Sequence, residues 1–130
     1  MKLVICEKPS VAKAVASALG VTSRADGCFE GNGLIVSWCV GHLVSPMDAA
    51  GYDPGYKKWK YGDLPILPEP FRYVLAEGKE DAFQNLKRLM EREDVTELVN
   101  ACDAGREGEL IFRLVYEMAE CRKPFSRLWI

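Results

Sequence analysis

Short apolar runs alternate with amphipathic segments along much of the chain, and this alternation predicts strands followed by helices. The run "KLVICE" at residues 2–7 is rich in β-branched residues and predicts a strand buried on both faces. A helix is predicted next, with Ser10 as its N-cap and Gly20 at its end. Its apolar residues recur at helical spacing and are Val11, Ala14, Val15, Ala18 and Leu19.

The middle of the chain contains a hairpin pattern and then a change of composition. Two strand-like runs flank the dipeptide Asn32-Gly33, which favours the tight turn of a β-hairpin. From residue 46 to residue 73, prolines and glycines are interspersed with aromatic residues. Disordered segments are poor in aromatics, so we expect residues 46–73 to form an ordered insertion.

The last third of the chain returns to alternating helices and strands. "KEDAFQNLKRLMERED" places four apolar residues on one helical face: Phe83, Leu86, Leu89 and Met90. "VTELVNAC" predicts a strand, residues 106–119 a helix and "FSRLWI" a final strand. The predicted buried side of the helix comprises Leu110, Ile111, Leu114, Val115 and Met118. This alternation indicates an α/β fold with a mostly parallel central sheet flanked by helices.

Length and composition narrow the classes of protein that fit this pattern. At 130 residues the chain has the size of one domain, so residues 1–130 are expected to form a single unit. No apolar run approaches the roughly 20 residues of a membrane span, and the N-terminal run does not resemble a signal peptide, so we expect a cytoplasmic protein. The net charge of -2 provides no general attraction to nucleic acid. The five cysteines include no C-x-x-C pair, which argues against zinc ribbons and disulfide frameworks.

Charged residues directly follow two of the predicted buried strands. Glu7 and Lys8 follow the first of these strands, whereas Asp103, Arg106 and Glu107 follow "LVNAC". Ligands bind at the carboxyl ends of the strands in an open parallel sheet, so the acids converge if the two strands are neighbours. Crowded carboxylates repel one another unless they share a proton or bind a cation, and oxygen ligands suit Mg²⁺. The pattern therefore predicts a magnesium site that acts on a phosphate ester or diester.

The same junctions supply groups that could bind the phosphate. They are Lys8, Arg106 and the helix N-termini at Ser10 and near Gly105. A plainer interpretation stays open, because acids suit the positive end of a helix dipole. Glu109 and Arg113 are also spaced as an ordinary i,i+4 surface pair. Neither a Walker-type motif nor G-x-G-x-x-G occurs in the sequence.

Two further positions have alternative roles. His42, the only histidine, is expected either to make a structural hydrogen bond or to contact the phosphate. Lys57, Lys58 and Lys60 surround Trp59, on which a base could stack, although a solvated face is the simpler interpretation. No tyrosine adjoins the acidic junctions, so we nominate none as a nucleophile.

Four segments together resemble a known family. They are "LVICEKPSVAKAVASALG", "WCVGHLV", "LPILPEPF" and "VNACDAGREGELIFR", which in this order resemble the first domain of bacterial type IA DNA topoisomerases of the topoisomerase III kind. That domain has the Toprim fold, and the resemblance covers nearly the whole chain. It implies that the chain is an N-terminal fragment and that further domains follow Ile130.

The resemblance implies a role for each charged junction. Glu7 corresponds to the acid after the first strand, and Asp103 and Glu107 correspond to the first and third acids of a D-x-D-x-E signature. These acids hold Mg²⁺, or Mn²⁺ in its place, near the scissile phosphate that the residue matching Lys8 contacts. The residues that organise the signature match Arg106 and Glu109. Gly105 stands where the middle acid is expected, which leaves the number of bound ions open.

The implied activity needs parts that this chain lacks. In the family, a tyrosine from another domain attacks one DNA strand, forms a 5′-phosphotyrosine link and lets another strand pass before resealing, without ATP. The resemblance thus implies single-stranded DNA segments as partner, the nucleoid as location and no activity of this fragment alone. A Toprim nuclease or primase core and a non-catalytic nucleic-acid binding module are the alternatives. "EKPSVAKA" together with "VGHL" favours the topoisomerase.

Overall fold

The order of strands and helices follows the sequence pattern closely. The computed structural model describes residues 1–129. Its elements in chain order are β1 (Lys2–Cys6), α1 (Pro9–Ala18), β2 (Ser23–Ala25), β3 (Cys28–Gly31), β4 (Leu34–Trp38), β5 (Val44–Pro46), α2 (Ala49–Tyr52), 3₁₀ helices at Pro54–Lys58 and Tyr61–Asp63, β6 (Tyr73–Leu75), α3 (Glu80–Glu91), β7 (Glu97–Ala101), α4 (Arg106–Met118) and β8 (Phe125–Arg127). In the part of the chain that the structure describes, none of these helices is both long and apolar enough to cross a membrane.

The main sheet has the strand order β2-β3-β4-β1-β7-β8. β1 pairs in parallel with β4 and β7, and β7 pairs in parallel with β8. The predicted hairpin joins β3 and β4 through Asn32 and Gly33, whose φ angles of 53° and 75° are those of a tight turn. A second hairpin, which sequence analysis missed, joins β2 and β3 through Asp26-Gly27. The mostly parallel sheet predicted from the sequence is confirmed.

A second, two-stranded sheet lies at the base of the proline-rich segment. β5 and β6 pair antiparallel, with Val44 opposite Leu75 and Pro46 opposite Tyr73. The chain between them forms α2 and the two 3₁₀ helices. This pairing brings the two ends of the segment together, so the chain leaves the main sheet after β4 and returns to it through α3.

Helices cover both faces of the sheet. Leu3 and Ile5 of β1 lie in a hydrophobic cluster with α3 and α4, whereas Val4 and Cys6 lie in the cluster that contains α1. β1 is therefore buried on both faces, as its apolar run predicted. The predicted buried face of α3 is confirmed in full: Phe83, Leu86, Leu89 and Met90 are all buried.

The start of α1 corrects one prediction. The helix begins at Pro9, its N-cap is Lys8, and Ser10 is an exposed helical residue rather than the N-cap. The cause is the proline, which suits the first helical position and keeps the residue before it extended. Lys8 accordingly has φ −137° and ψ 152°.

The buried faces of α1 and α4 also differ from prediction. In α1, Ala12 and Ala16 face the core, whereas Ala14 and Ala18 of the helix and Leu19 just after it are exposed. In α4, Leu110 is 42% exposed. Gly108 of the same helix is buried against the loop before α4, and Leu110 lies about 200° around the helix from it. Apolar residues occupy more of the circumference of both helices than the face that contacts the sheet, so their spacing alone does not identify the buried face.

Two leucines of α4 test this orientation. Leu114 is 6% exposed, so Leu114→Ala should lower the free energy of unfolding by about 2 to 5 kcal/mol. Leu110→Ala should lower it by about 1 kcal/mol or less, since Leu110 is 42% exposed and loses less buried surface. Urea unfolding of both variants measures the difference, and equal losses would contradict the orientation of α4.

Arg92 joins two acids from distant parts of the chain. Its guanidinium nitrogens lie 2.9 Å from both carboxylate oxygens of Glu30. They lie 2.9 Å and 2.7 Å from those of Asp94. These hydrogen bonds hold the pKa values of Glu30 and Asp94 below their ordinary range. Because the folded pKa values are lowered, the stabilisation is present above the ordinary carboxyl pKa of about 4 and is lost as pH falls through the lowered values.

Arg92→Gln should therefore destabilise the chain in a pH-dependent way. The melting temperature should fall at pH 7, and the difference from the unsubstituted chain should shrink as pH falls below about 4 and disappear once both carboxyls are protonated, below their lowered pKa values. The exposed Arg24 provides a control, because Arg24→Gln should cause a small difference that does not vary with pH. Circular dichroism melts from pH 2 to pH 7 make the comparison. A constant deficit in Arg92→Gln would exclude the carboxylates as its cause.

Candidate metal and phosphate site

The two acidic junctions lie at the ends of neighbouring strands. β1 and β7 pair in parallel with Cys6 opposite Ala101, so both strands end at the same edge of the sheet. Just beyond that edge, the backbone N–H of Asp103 donates a hydrogen bond to Glu7 Oε2 over 3.4 Å. Residues 96 positions apart in the sequence are thus in direct contact.

A tight loop connects β7 to α4. The N–H of Gly105 donates to the carbonyl oxygen of Asp103 over 2.8 Å, and Gly105 is the N-cap of the helix. Gly108, in the first turn of α4, packs directly on this loop: a Cβ at that position would lie 2.1 Å from the Asp103 oxygen. The absence of a side chain at Gly108 therefore allows the helix to lie against the loop.

Glu107 is bound by two neighbours. His42, from the loop between β4 and β5, places Nε2 2.9 Å from Glu107 Oε2, and Arg106 places Nε 3.2 Å from Oε1. The sequence identified each of these residues but not the pairing of His42 with Glu107. The structure brings Glu7 and Asp103 together and holds the Glu107 carboxylate beside His42.

The remaining predicted residues lie around this edge. Lys8 follows Glu7 directly, and both Lys8 and Ser10 are exposed at the start of α1. Glu109 forms the expected i,i+4 ion pair with Arg113, at 2.8 Å. Its other carboxylate oxygen accepts a hydrogen bond from Asn100 Nδ2 at 2.9 Å.

Two polar residues that sequence analysis missed hold the loop from below. Asn100 is fully buried, and its Oδ1 accepts the Cys102 N–H at 3.1 Å. Arg127 of β8 donates from Nη2 to the carbonyl oxygen of Asp103 at 2.6 Å. An asparagine inside the apolar run "ELVNA" was the one available indication, since a buried amide needs partners.

Buried thiols lie under the acidic edge. Cys6, Cys39 and Cys102 are each less than 3% exposed. Burial raises the pKa of the Cys6 thiol to about 12, and a hydrogen bond with Cys102 together with burial raises the pKa of the Cys39 thiol. Cys6 and Cys39 therefore remain neutral thiols near pH 7, and carboxylate oxygens are the candidate ligands at this edge.

The acidic side chains are of the right chemical type to bind a divalent cation, but their positions form only part of a binding site. Carboxylate oxygens are the ligands that Mg²⁺ prefers. Within residues 1–129, however, no three acidic, histidine or cysteine side chains are grouped as metal ligands. The Glu7 carboxylate contacts the backbone of Asp103, whereas the Glu107 carboxylate would have to turn away from His42 to join them.

Comparison with known proteins gives a consistent result. Residues 2–130 match the family described as Toprim domain. The chain is 45% identical over 129 residues to DNA topoisomerase 3 of Shouchella clausii, and 43% identical over 128 residues to DNA topoisomerase 3 of Bacillus subtilis. These alignments cover 99% and 98% of the chain but 18% of each relative. The chain thus spans less than a fifth of the length of these curated relatives.

Gly105 and Gly108, at the start of α4, should differ in whether they tolerate a side chain. Gly108→Ala should lower the free energy of unfolding by about 1 to 3 kcal/mol, because its Cβ would overlap the Asp103 backbone. The higher helix propensity of alanine offsets about 1 kcal/mol of this loss. Gly105→Ala should change the free energy of unfolding by about 1 kcal/mol or less. The φ of Gly105, −164°, suits any residue, and no neighbouring atom lies within 4 Å of the position that a Cβ would take. Chemical denaturation measures both variants, and equal free energies of unfolding would contradict the close contact between Gly108 and the Asp103 backbone.

Proposed function

Because the chain belongs to the Toprim family, we propose that it is the Toprim domain of a type IA DNA topoisomerase of the topoisomerase III kind. The names of its relatives and their identity over nearly the whole chain support this assignment. Residues 1–130 form one domain in this proposal, with residues 46–73 as an insertion. The chain spans 18% of those relatives, and in this proposal it is the N-terminal part of a longer protein that carries the remaining domains.

The contact between the Glu7 carboxylate and the Asp103 backbone supports a catalytic role most directly. It joins two acidic residues that come from opposite ends of the sequence. In the proposed site, these two carboxylates and that of Glu107 hold Mg²⁺. The cation would neutralise charge that develops at the scissile phosphate.

Cationic and polar groups beside the acids bind the DNA phosphate in this proposal. Lys8 and Arg106 are exposed at the starts of α1 and α4, where backbone N–H groups also favour an anion. Ser10 contributes a hydroxyl in the first turn of α1. His42 keeps Glu107 oriented until the cation and the phosphate are present, and Glu109 supports the loop through Asn100.

The proposed reaction exchanges one phosphodiester for another. A tyrosine outside this chain attacks a phosphodiester in a single-stranded segment of DNA and forms a 5′-phosphotyrosine link as the 3′ oxygen leaves. After strand passage the 3′ hydroxyl attacks that link, restores the phosphodiester and releases the tyrosine. Because the energy of the broken bond is retained in the new one, ATP is not required. The chain alone is proposed to be inactive, and the complete enzyme to act on nucleoid DNA in the cytoplasm.

Gly105 affects how tightly the cation is held. The family signature has an acid at this position, and the structure has open space around Gly105. With fewer carboxylates, water and phosphate oxygens supply more of the coordination of Mg²⁺. Binding to the isolated chain should accordingly be weaker than binding in the presence of DNA.

Titration with Mn²⁺, followed by electron paramagnetic resonance, tests the metal site. Glu7→Gln and Asp103→Asn should each weaken binding roughly tenfold or more, because each removes a charged oxygen ligand. Glu117→Gln is the control, since it neutralises an exposed acid near the far end of α4 and should leave the affinity unchanged. Equal affinity in all four proteins would refute the assigned site.

A further inference from the structure

The loop that carries Asp103 is held by a side chain from outside the acidic motif. Arg127 Nη2 and the N–H of Gly105 both donate to the Asp103 carbonyl oxygen, over 2.6 Å and 2.8 Å. The Arg127 side chain is 19% exposed. A hydrogen bond from a largely desolvated charged donor is stronger than one in water. Arg127 therefore constrains the peptide group that follows the Asp103 Cα.

Arg127 is itself fixed by a buried amide. Its Nη1 donates to Asn100 Oδ1 over 2.7 Å, and the same oxygen accepts the Cys102 N–H. Asn100 Nδ2 donates to Glu109, so the partners of the amide determine its orientation. Side chains from β7, α4 and β8 thus form one network beneath the loop.

The guanidinium of Arg127 is directed at the loop rather than at the nearest acid. Its Nε lies 3.6 Å from Glu109 Oε2 and has no hydrogen-bond partner within the described residues. Arg113, by contrast, donates to Glu109 over 2.8 Å. Both arginines neutralise the same carboxylate, but only Arg127 bonds to the Asp103 backbone.

We propose that Arg127 is a positioning residue that keeps the backbone of Asp103 bonded to Glu7 and so determines where the Asp103 side chain can reach. The Asp103 N–H is bonded to Glu7 and its carbonyl oxygen to Arg127, so the peptide groups on both sides of its Cα are restrained. These two restraints fix the position of the Asp103 Cα and the direction of its Cα–Cβ bond. The proposal rests on the proposed function, in which Asp103 and Glu7 bind a divalent cation, and outer partners of metal ligands commonly set metal affinity.

Arginine variants separate this role from general stabilisation. Arg127→Lys retains the charge but cannot donate to Asn100 and Asp103 through two separate nitrogens. Arg127→Gln removes the charge and retains one amide donor. Each should weaken Mn²⁺ binding about tenfold and increase the mobility of the Asp103 and Gly105 amides in ¹⁵N relaxation of the metal-free chain. Arg113→Lys is the matched control: it disturbs the ion pair with Glu109 and should leave Mn²⁺ affinity and loop mobility unchanged.

Each other outcome overturns the proposal in a recognisable way. If the unsubstituted chain binds Mn²⁺ and Arg127→Lys binds it equally tightly, the positioning role fails and the metal site stands. Equal weakening in Arg113→Lys would show that the Glu109 ion pair is responsible instead. Loss of folding in both Arg127 variants would make this residue a general stabiliser. If the unsubstituted chain binds no Mn²⁺, the proposed function fails and this proposal fails with it.

Discussion

The parallel pairing of β1 with β7 is the constraint on which the candidate site depends. Register within this pair places Cys6 opposite Ala101, so the next residues on both strands leave the sheet side by side. Apolar side chains on both faces of β1 bury it between helices, which excludes slippage of one residue because slippage would exchange the two faces. The contact between Glu7 and Asp103 is a consequence of this burial.

Around that edge, the backbone is more constrained than the charged side chains. The loop after β7 is held by Asn100 and Arg127 from below and by the close approach of Gly108 from the side. Lys8 and Arg106, by contrast, extend into solvent. This contrast suits the proposed function, in which the acids hold a cation while Lys8 and Arg106 contact a phosphate.

Local sequence rules correctly predicted elements whose structure depends on a single helix face or a single tight turn. The face of α3 has charges opposite four apolar residues, and all four are buried. Asn32-Gly33 adopts the positive φ angles that its hairpin requires. The rules failed where neighbours decided the outcome: Pro9 moved the start of α1 away from Ser10, and the contact of Gly108 with the loop turned Leu110 towards solvent.

The sequence by itself determined the alternation of strands and helices, the acidic residues that follow two buried strands, and the family. These properties are carried by periodicity and short motifs, which need no knowledge of distant contacts. Only the tertiary structure decided that Glu107 pairs with His42 and that Asn100 and Arg127 support the Asp103 loop. These partners lie on strands and loops that are far apart in the sequence. They become neighbours only through the order of strands in the sheet, which residue spacing along the chain does not reveal.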